Sequence, residues 1–180
     1  AHGDARGEDA LAETVHQEAR APRHRSAGDG ADEVAQRLRL SRAQTTRLRR
    51  MKAPDWQATP DVGETELRGI LSRLGTSEVI DLALLEWARR LIITPRLPKA
   101  ETEAWKAVLA TAAAWEPIEL PIKGGDVVAL GIEPGPRVSA LLAGIEDWWR
   151  GGGCVAEREA CLTELRSRII NNADNKSGTE

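Results

Sequence analysis

A chain of 180 residues can bury one substantial core or two small ones, and 41% hydrophobic with 29% charged residues is the composition of a folded globular protein. No apolar run approaches the ~20 residues that a membrane-spanning helix needs, and a net charge of −3 excludes a uniformly basic nucleic-acid coat. The cysteines and histidines fall into no CxxC or HxxxH spacing, so the sequence offers no motif-built metal site.

Residues 1–30 are rich in Gly, Asp, Arg and Ala and predict a weakly packed leader, with one short helix around Glu8 to Arg20 followed by the breaker-rich APRHRSAGDG. His2, His16 and His24 are scattered through this polar stretch. The first twenty-five residues contain no apolar segment of the signal-peptide kind, which makes the cytoplasm the expected compartment. The chain begins with Ala1 and has Met51 as its single methionine, as a processed or truncated product would.

From Asp32, the spacing of Val34, Ala35 and Leu38 predicts a short amphipathic helix. Ser41 is a good N-cap for a second helix, Arg42 to Lys52, with Leu48 and Met51 facing inward and Pro54 closing it. Across RLRLSRAQTTRLRRMK every charged residue is basic: Arg37, Arg39, Arg42, Arg47, Arg49, Arg50 and Lys52. The acids concentrate near the N-terminus and between Asp55 and Glu86, so a basic band stands on an acidic background. By itself such a band is the solvated face of a helix.

APDWQATPDVGETE reads as a loop, after which Leu67, Ile70, Leu71 and Leu74 space out a third helix ending at Gly75. TSEVIDLALLEWARRLII is the strongest helix, capped by Thr76 or Ser77, with Val79, Leu82, Ala83, Leu85 or Glu86, Trp87 and Leu91 as its apolar stripe. Past TPRLPKAE, an alanine-rich helix from Ala100 to Trp115 is stopped by Pro117, and Trp87, Trp105 and Trp115 are expected in the core. ELPI, between Pro117 and Pro121, must be extended.

GGDVVALGIEPGPRVSALL, residues 124–142, predicts a helical hairpin. A short helix starts at Gly125 and Asp126 and carries Val127, Val128 and Leu130; Gly131 stops it, Pro134 and Pro136 rigidify the turn, and Val138, Leu141 and Leu142 open the next helix. Exposed amides at the start of that second helix are a place where a phosphate can bind. Helices Val138 to Arg150 and Val155 to Ile170 follow, separated by Gly151, Gly152 and Gly153. Trp148 and Trp149 point about 100° apart, so one is core and the other interfacial. Cys154 and Cys161 share a helical face about 10 Å apart, too far for a disulfide, and are expected reduced and half-buried. No alternating strand pattern appears, and the expected fold is all-α with helices packed in sequence order. The expected divisions are a leader (1–30), a helical body (31–116), a hairpin and tail (117–170) and a disordered terminus (171–180).

The hairpin segment IKGGDVVALGIEPGPRVSALLAGIEDWW resembles the C-terminal region of bacterial tRNA nucleotidyltransferases and poly(A) polymerases, where a Gly-x-Asp leads through apolar residues to Leu-Gly and then Pro-Gly-Pro before a helix. The matching residues are Gly124, Asp126, Leu130, Gly131, Pro134, Gly135 and Pro136. RLRLSRAQTTRL resembles the family's Arg-Leu-x-Leu-Ser-Asn-Ala-Glu segment, with Arg42 and Gln44 standing where Asn and Glu are usual. ELRGILSRLGTSEVIDLALLEWA and AEREACLTELRSR resemble the neighbouring helices, and Ser139 departs from the family's common Gly. The resemblance covers about residues 30 to 168.

What it implies is a helical body and tail that holds tRNA and positions its 3′ end for nucleotide addition, CCA or A. The basic band, with Lys123 and Arg137 beside the hairpin, becomes the candidate surface for RNA phosphates, which need only correctly placed cations. The family's chemistry resides in a head whose Asp-x-Asp pair holds two metal ions, and this sequence has no Asp-x-Asp, so it is expected to be inactive alone. No catalytic residue or cofactor is assigned here; Mg²⁺ belongs with the head, and the expected partners are tRNA and a separately supplied head, without a membrane. The other class the sequence admits is a helical protein-interaction module that keeps the fold without binding RNA.

Overall fold

Helical periodicity runs through the chain, and the computed structural model, which describes residues 27–177, contains eight α-helices and no strand among the described residues. The all-α expectation is met. The leader helix expected at Glu8 to Arg20 and the three histidines lie outside the described residues. The chain divides between Ala53 and Pro54 into two compact units. That differs from divisions after residues 30 and 116.

The first unit pairs α1 (Ala27–Arg37) with α2 (Arg42–Lys52). α1 ends in a Schellman arrangement: the Arg39 N–H donates to the Gln36 carbonyl at 3.2 Å and the Leu40 N–H to the Ala35 carbonyl at 2.9 Å. Arg39 occupies the left-handed position at φ +52°, where glycine is usual. One residue later Ser41 caps α2 in a full capping box, its Oγ accepting from the Gln44 N–H at 3.3 Å while Gln44 Oε1 accepts from the Ser41 N–H at 2.8 Å. Ser41 is therefore the cap that the sequence indicates.

The expected apolar stripe of α1 is corrected in part. Ala31 and Ala35 lose their surface, but Val34 remains 44% and Leu38 63% exposed. A helix packed through alanines makes a close but narrow contact, which leaves the larger apolar side chains beside it uncovered. On α2 no residue is fully buried, and Leu48 and Met51 are half-buried.

The second unit contains α3 (Glu64–Leu74), α4 (Thr76–Ile93), α5 (Lys99–Ala113), α6 (Gly124–Ala129), α7 (Pro136–Gly151) and α8 (Arg158–Ser177). α3, α4 and α5 pack in sequence order around Leu67, Ile70, Leu71, Val79, Leu82, Ala83, Trp105, Val108 and Ala112. A second cluster joins Ile122, Val127, Ile132, Leu141, Ile145, Trp149, Cys154, Cys161 and Leu165 from α6, α7, α8 and their connections. The buried members of the first cluster precede Pro117 and those of the second follow it, and Trp115 packs against both. Trp105 is fully buried while Trp87 and Trp115 are half-buried, and of the adjacent pair Trp149 is core and Trp148 half-buried.

Several local expectations are adjusted. Thr76 is already helical, and Gly75 at φ +83° ends α3 and starts α4 with no side-chain cap. α4 buries Val79, Leu82 and Ala83, but Leu91, Ile92 and Ile93 at its end are exposed. α8 begins at Arg158 and not Val155, because Cys154 sits in a turn at φ +61°, and it runs past Ile170 to Ser177 through residues expected to be disordered. Both thiols are free and fully buried, and burial raises the Cys161 pKa.

The two clusters are joined where α3 crosses α7. Gly69 lies so close to α7 that a Cβ there would stand 2.4 Å from the Arg150 carbonyl oxygen. Beside it, Arg68 donates through Nε to the Gly153 carbonyl at 2.8 Å and lays its guanidinium 5.3 Å from the centre of the Trp115 ring. Gly153, at φ +74°, has the Thr65 backbone within 3.2 Å of where a Cβ would be. Gly69→Ala is expected to lower stability by about 1–3 kcal/mol through overpacking. Gly125→Ala, with nothing within 4 Å, is the matched control and should be neutral or slightly stabilising. Urea denaturation followed by circular dichroism measures both.

Candidate nucleic-acid interface

Six of the seven cations of the basic band fall on α2 or the turn that precedes it, and Arg37 closes the last turn of α1. They sit on one helical pair because the Arg39 and Ser41 caps reverse the chain within four residues. All seven are exposed. Their partners differ. Arg49 pairs with Asp32 of α1 through Nε and Nη2, both at 2.7 Å, and the hydrogen bond first and the charge second raise its pKa. Arg47 and Arg50 are also engaged. The Lys52 ammonium lies over Gly30, 2.3 Å from where a Cβ would be. Arg37, Arg39 and Arg42 carry no ion pair or hydrogen bond to a carboxylate among the described residues.

Lys123 and Arg137 belong to the second unit and are exposed at either side of the hairpin. The phosphate-binding amides expected at the start of α7 are few. Pro136 occupies the first turn and has no N–H, and the Val138 N–H donates to the Gly135 carbonyl at 3.0 Å.

The aspartate of the hairpin has a definite task. Asp126 stands in the first turn of α6, where its Oδ2 accepts from the Lys123 N–H at 2.7 Å. The same carboxylate takes both Nη atoms of Arg158, the first residue of α8, and Arg158 Nη1 also donates to the Pro121 carbonyl at 2.9 Å. One carboxylate thus caps α6 and ties the hairpin to α8 in a bidentate pair. The Arg158 hydrogen bond first, and the Lys123 N–H second, hold the Asp126 pKa below its ordinary value. Sequence reading left Arg158 out because its partner lies 32 residues away; the only available signal was an Asp three residues after the helix cap.

Two clefts of the second unit are poor anion sites. One of about 590 Å³ between the 57–61 loop, α4 and α5 is lined by Asp61, Glu86 and Glu101, with Arg90 already paired to Glu101 at 3.1 Å. A groove of about 490 Å³ along α3 and α7 sets Glu66 and Asp147 against Arg73 and Arg150. Among the described residues no three His, Cys, Asp or Glu side chains are grouped to hold a metal ion, and no helix is long and apolar enough to cross a membrane.

No family model and no solved structure matches the chain. It is 42% identical over 80 residues to an uncharacterized 28 kDa protein encoded in the petA 5′ region of Rhodospirillum rubrum. The match takes in 44% of this chain and 31% of that protein. The similarity carries no activity with it.

Because Asp126 has a depressed folded pKa, its contribution to stability is complete above the ordinary carboxylate value and is lost as pH falls through the folded one. Asp126→Asn should therefore melt below the wild type at neutral pH. The gap should close as the pH drops below about 4, and thermal melts across that range measure it.

Proposed function

We propose that this chain is the tRNA-binding helical portion of a tRNA nucleotidyltransferase or poly(A) polymerase-like protein, positioning the tRNA 3′ end for nucleotide addition in the cytoplasm. The observation that carries this reading is the basic segment from Arg37 to Lys52, a turn and a helix with seven exposed cations, no acid and no fully buried residue on α2. A helix that contributes so little to a core and so much positive charge is suited to a phosphate backbone, which supplies most RNA affinity and is read without regard to sequence. The Gly-x-Asp and Pro-Gly-Pro residues of the hairpin carry the resemblance behind this reading, and Asp126 serves there as a cap and an ion-pair partner. Metal-dependent transfer would fall to a head carrying the Asp-x-Asp pair, and the residues of this chain would contribute grip and orientation.

The apolar end of α4, where Ile92 is 81% and Ile93 76% exposed, favours a second reading, a helical protein-interaction module without RNA contact. Electrophoretic mobility shift with a tRNA transcript separates the two. On the first reading the chain binds tRNA at low salt and the logarithm of affinity falls linearly with that of salt, by about 0.7–0.9 per phosphate neutralised, the range spanned by single strands and B-form duplex. Failure to bind at low ionic strength rejects it. The chain alone should add no CTP or ATP to a tRNA lacking its terminal A; incorporation of labelled nucleotide would reject the assignment of chemistry to a separate head.

A further inference from the structure

Resting on the RNA-binding reading above, we propose that the RNA backbone is held by the α1–α2 turn, through Arg37, Arg39 and Arg42, and not by Arg47, Arg49 and Arg50. The band is continuous in sequence but divided in its electrostatics. Most of its second half is spent within the protein: Arg49 is clamped on Asp32 at 2.7 Å, and Arg47 and Arg50 are engaged. A phosphate that took these cations would first have to break contacts that already satisfy them. The turn is different, since its three guanidinium groups are exposed, lie within six residues and have no carboxylate partner among the described residues.

Two of the three also occupy positions that local stability disfavours. Arg39 adopts a left-handed backbone at φ +52°, which a residue with a Cβ takes up less readily than glycine. Arg42 is the first residue of α2, where the positive end of the helix dipole repels a cation, and α2 has no acid in its first turn. Arg37 alone suits its place, at the negative end of α1. An external polyanion neutralises all three at once.

Backbone amides contribute little, because the Ser41–Gln44 capping box takes up two of them. The grip is therefore by side-chain charge on a rigid scaffold. The turn is held between a Schellman cap and a capping box, so little entropy is lost when the arginines engage. Guanidinium groups suit the task, since their planar fork can take two phosphate oxygens.

The full chain separates these possibilities through two variants, each titrated with a tRNA transcript by mobility shift across a series of salt concentrations. Arg39→Gly relieves the left-handed backbone, so Arg37→Gln/Arg39→Gly/Arg42→Gln should keep its helicity and melting temperature. It should bind tRNA about 100-fold or more weakly near 0.1 M salt, and its salt slope should be shallower by about 2–3. Arg47→Gln/Arg50→Gln should shift the slope by less than about 1. A turn variant that keeps the wild-type slope, or an α2 variant that loses as much as the turn variant, overturns the assignment while leaving RNA binding intact. A wild type that binds no tRNA at low salt has a different signature: it removes the RNA reading, and the turn assignment goes with it.

Discussion

Helix α3 can lie against α7 only because residue 69 has no side chain, and the rest of the second unit is arranged around that crossing. A Cβ at Gly69 would meet backbone, which cannot move aside as a flexible side chain can. The approach brings Arg68 within reach of the Gly153 carbonyl and the Trp115 ring, and it brings Thr65 against Gly153. Arg68 is thereby half-buried with its charge satisfied on one side by a carbonyl and on the other by an aromatic face, so burial carries no unpaired cation. The glycine run after α7 has the same logic, since its last member combines a left-handed backbone with a neighbour too close for a side chain.

Much of this architecture was legible in the residues. The 3.6-residue spacing of Leu67, Ile70 and Leu71, and of Val79, Leu82 and Ala83, marks faces that are buried in the structure. Ser41 and Gln44 announce a capping box, and Gly75 separates two helices as its position indicates. Periodicity identifies an apolar face but not what covers it, which is why Val34, Leu38 and Leu91 read as core and are exposed. Local pattern is equally silent on partners distant in sequence. Nothing near Asp126 points to Arg158, and nothing near Arg68 points to Gly153, yet these pairs hold the hairpin and the crossing.

The candidate site follows the same division. Composition alone marks the basic band, because consecutive charges of one sign are visible in any reading of the chain. Which of its members are free depends in part on Asp32, a residue of another helix brought alongside by the α1–α2 turn. The hairpin is a counterpart case. Its Asp126 stands in the segment that carries the resemblance to nucleotidyltransferases, and it is committed to a cap and an ion pair. Resemblance in such a segment reflects the demands of folding at least as much as those of ligand binding.

Trp115, touching both clusters of the second unit, has a bearing on cooperativity. Its ring is the surface on which Arg68 rests, and Arg68 reaches across to Gly153, so loosening either cluster strips contacts from the other. The six helices from α3 to α8 are thus built to melt in one transition. A break at Pro117, between the two clusters in sequence, would leave two halves that each expose what the other had covered.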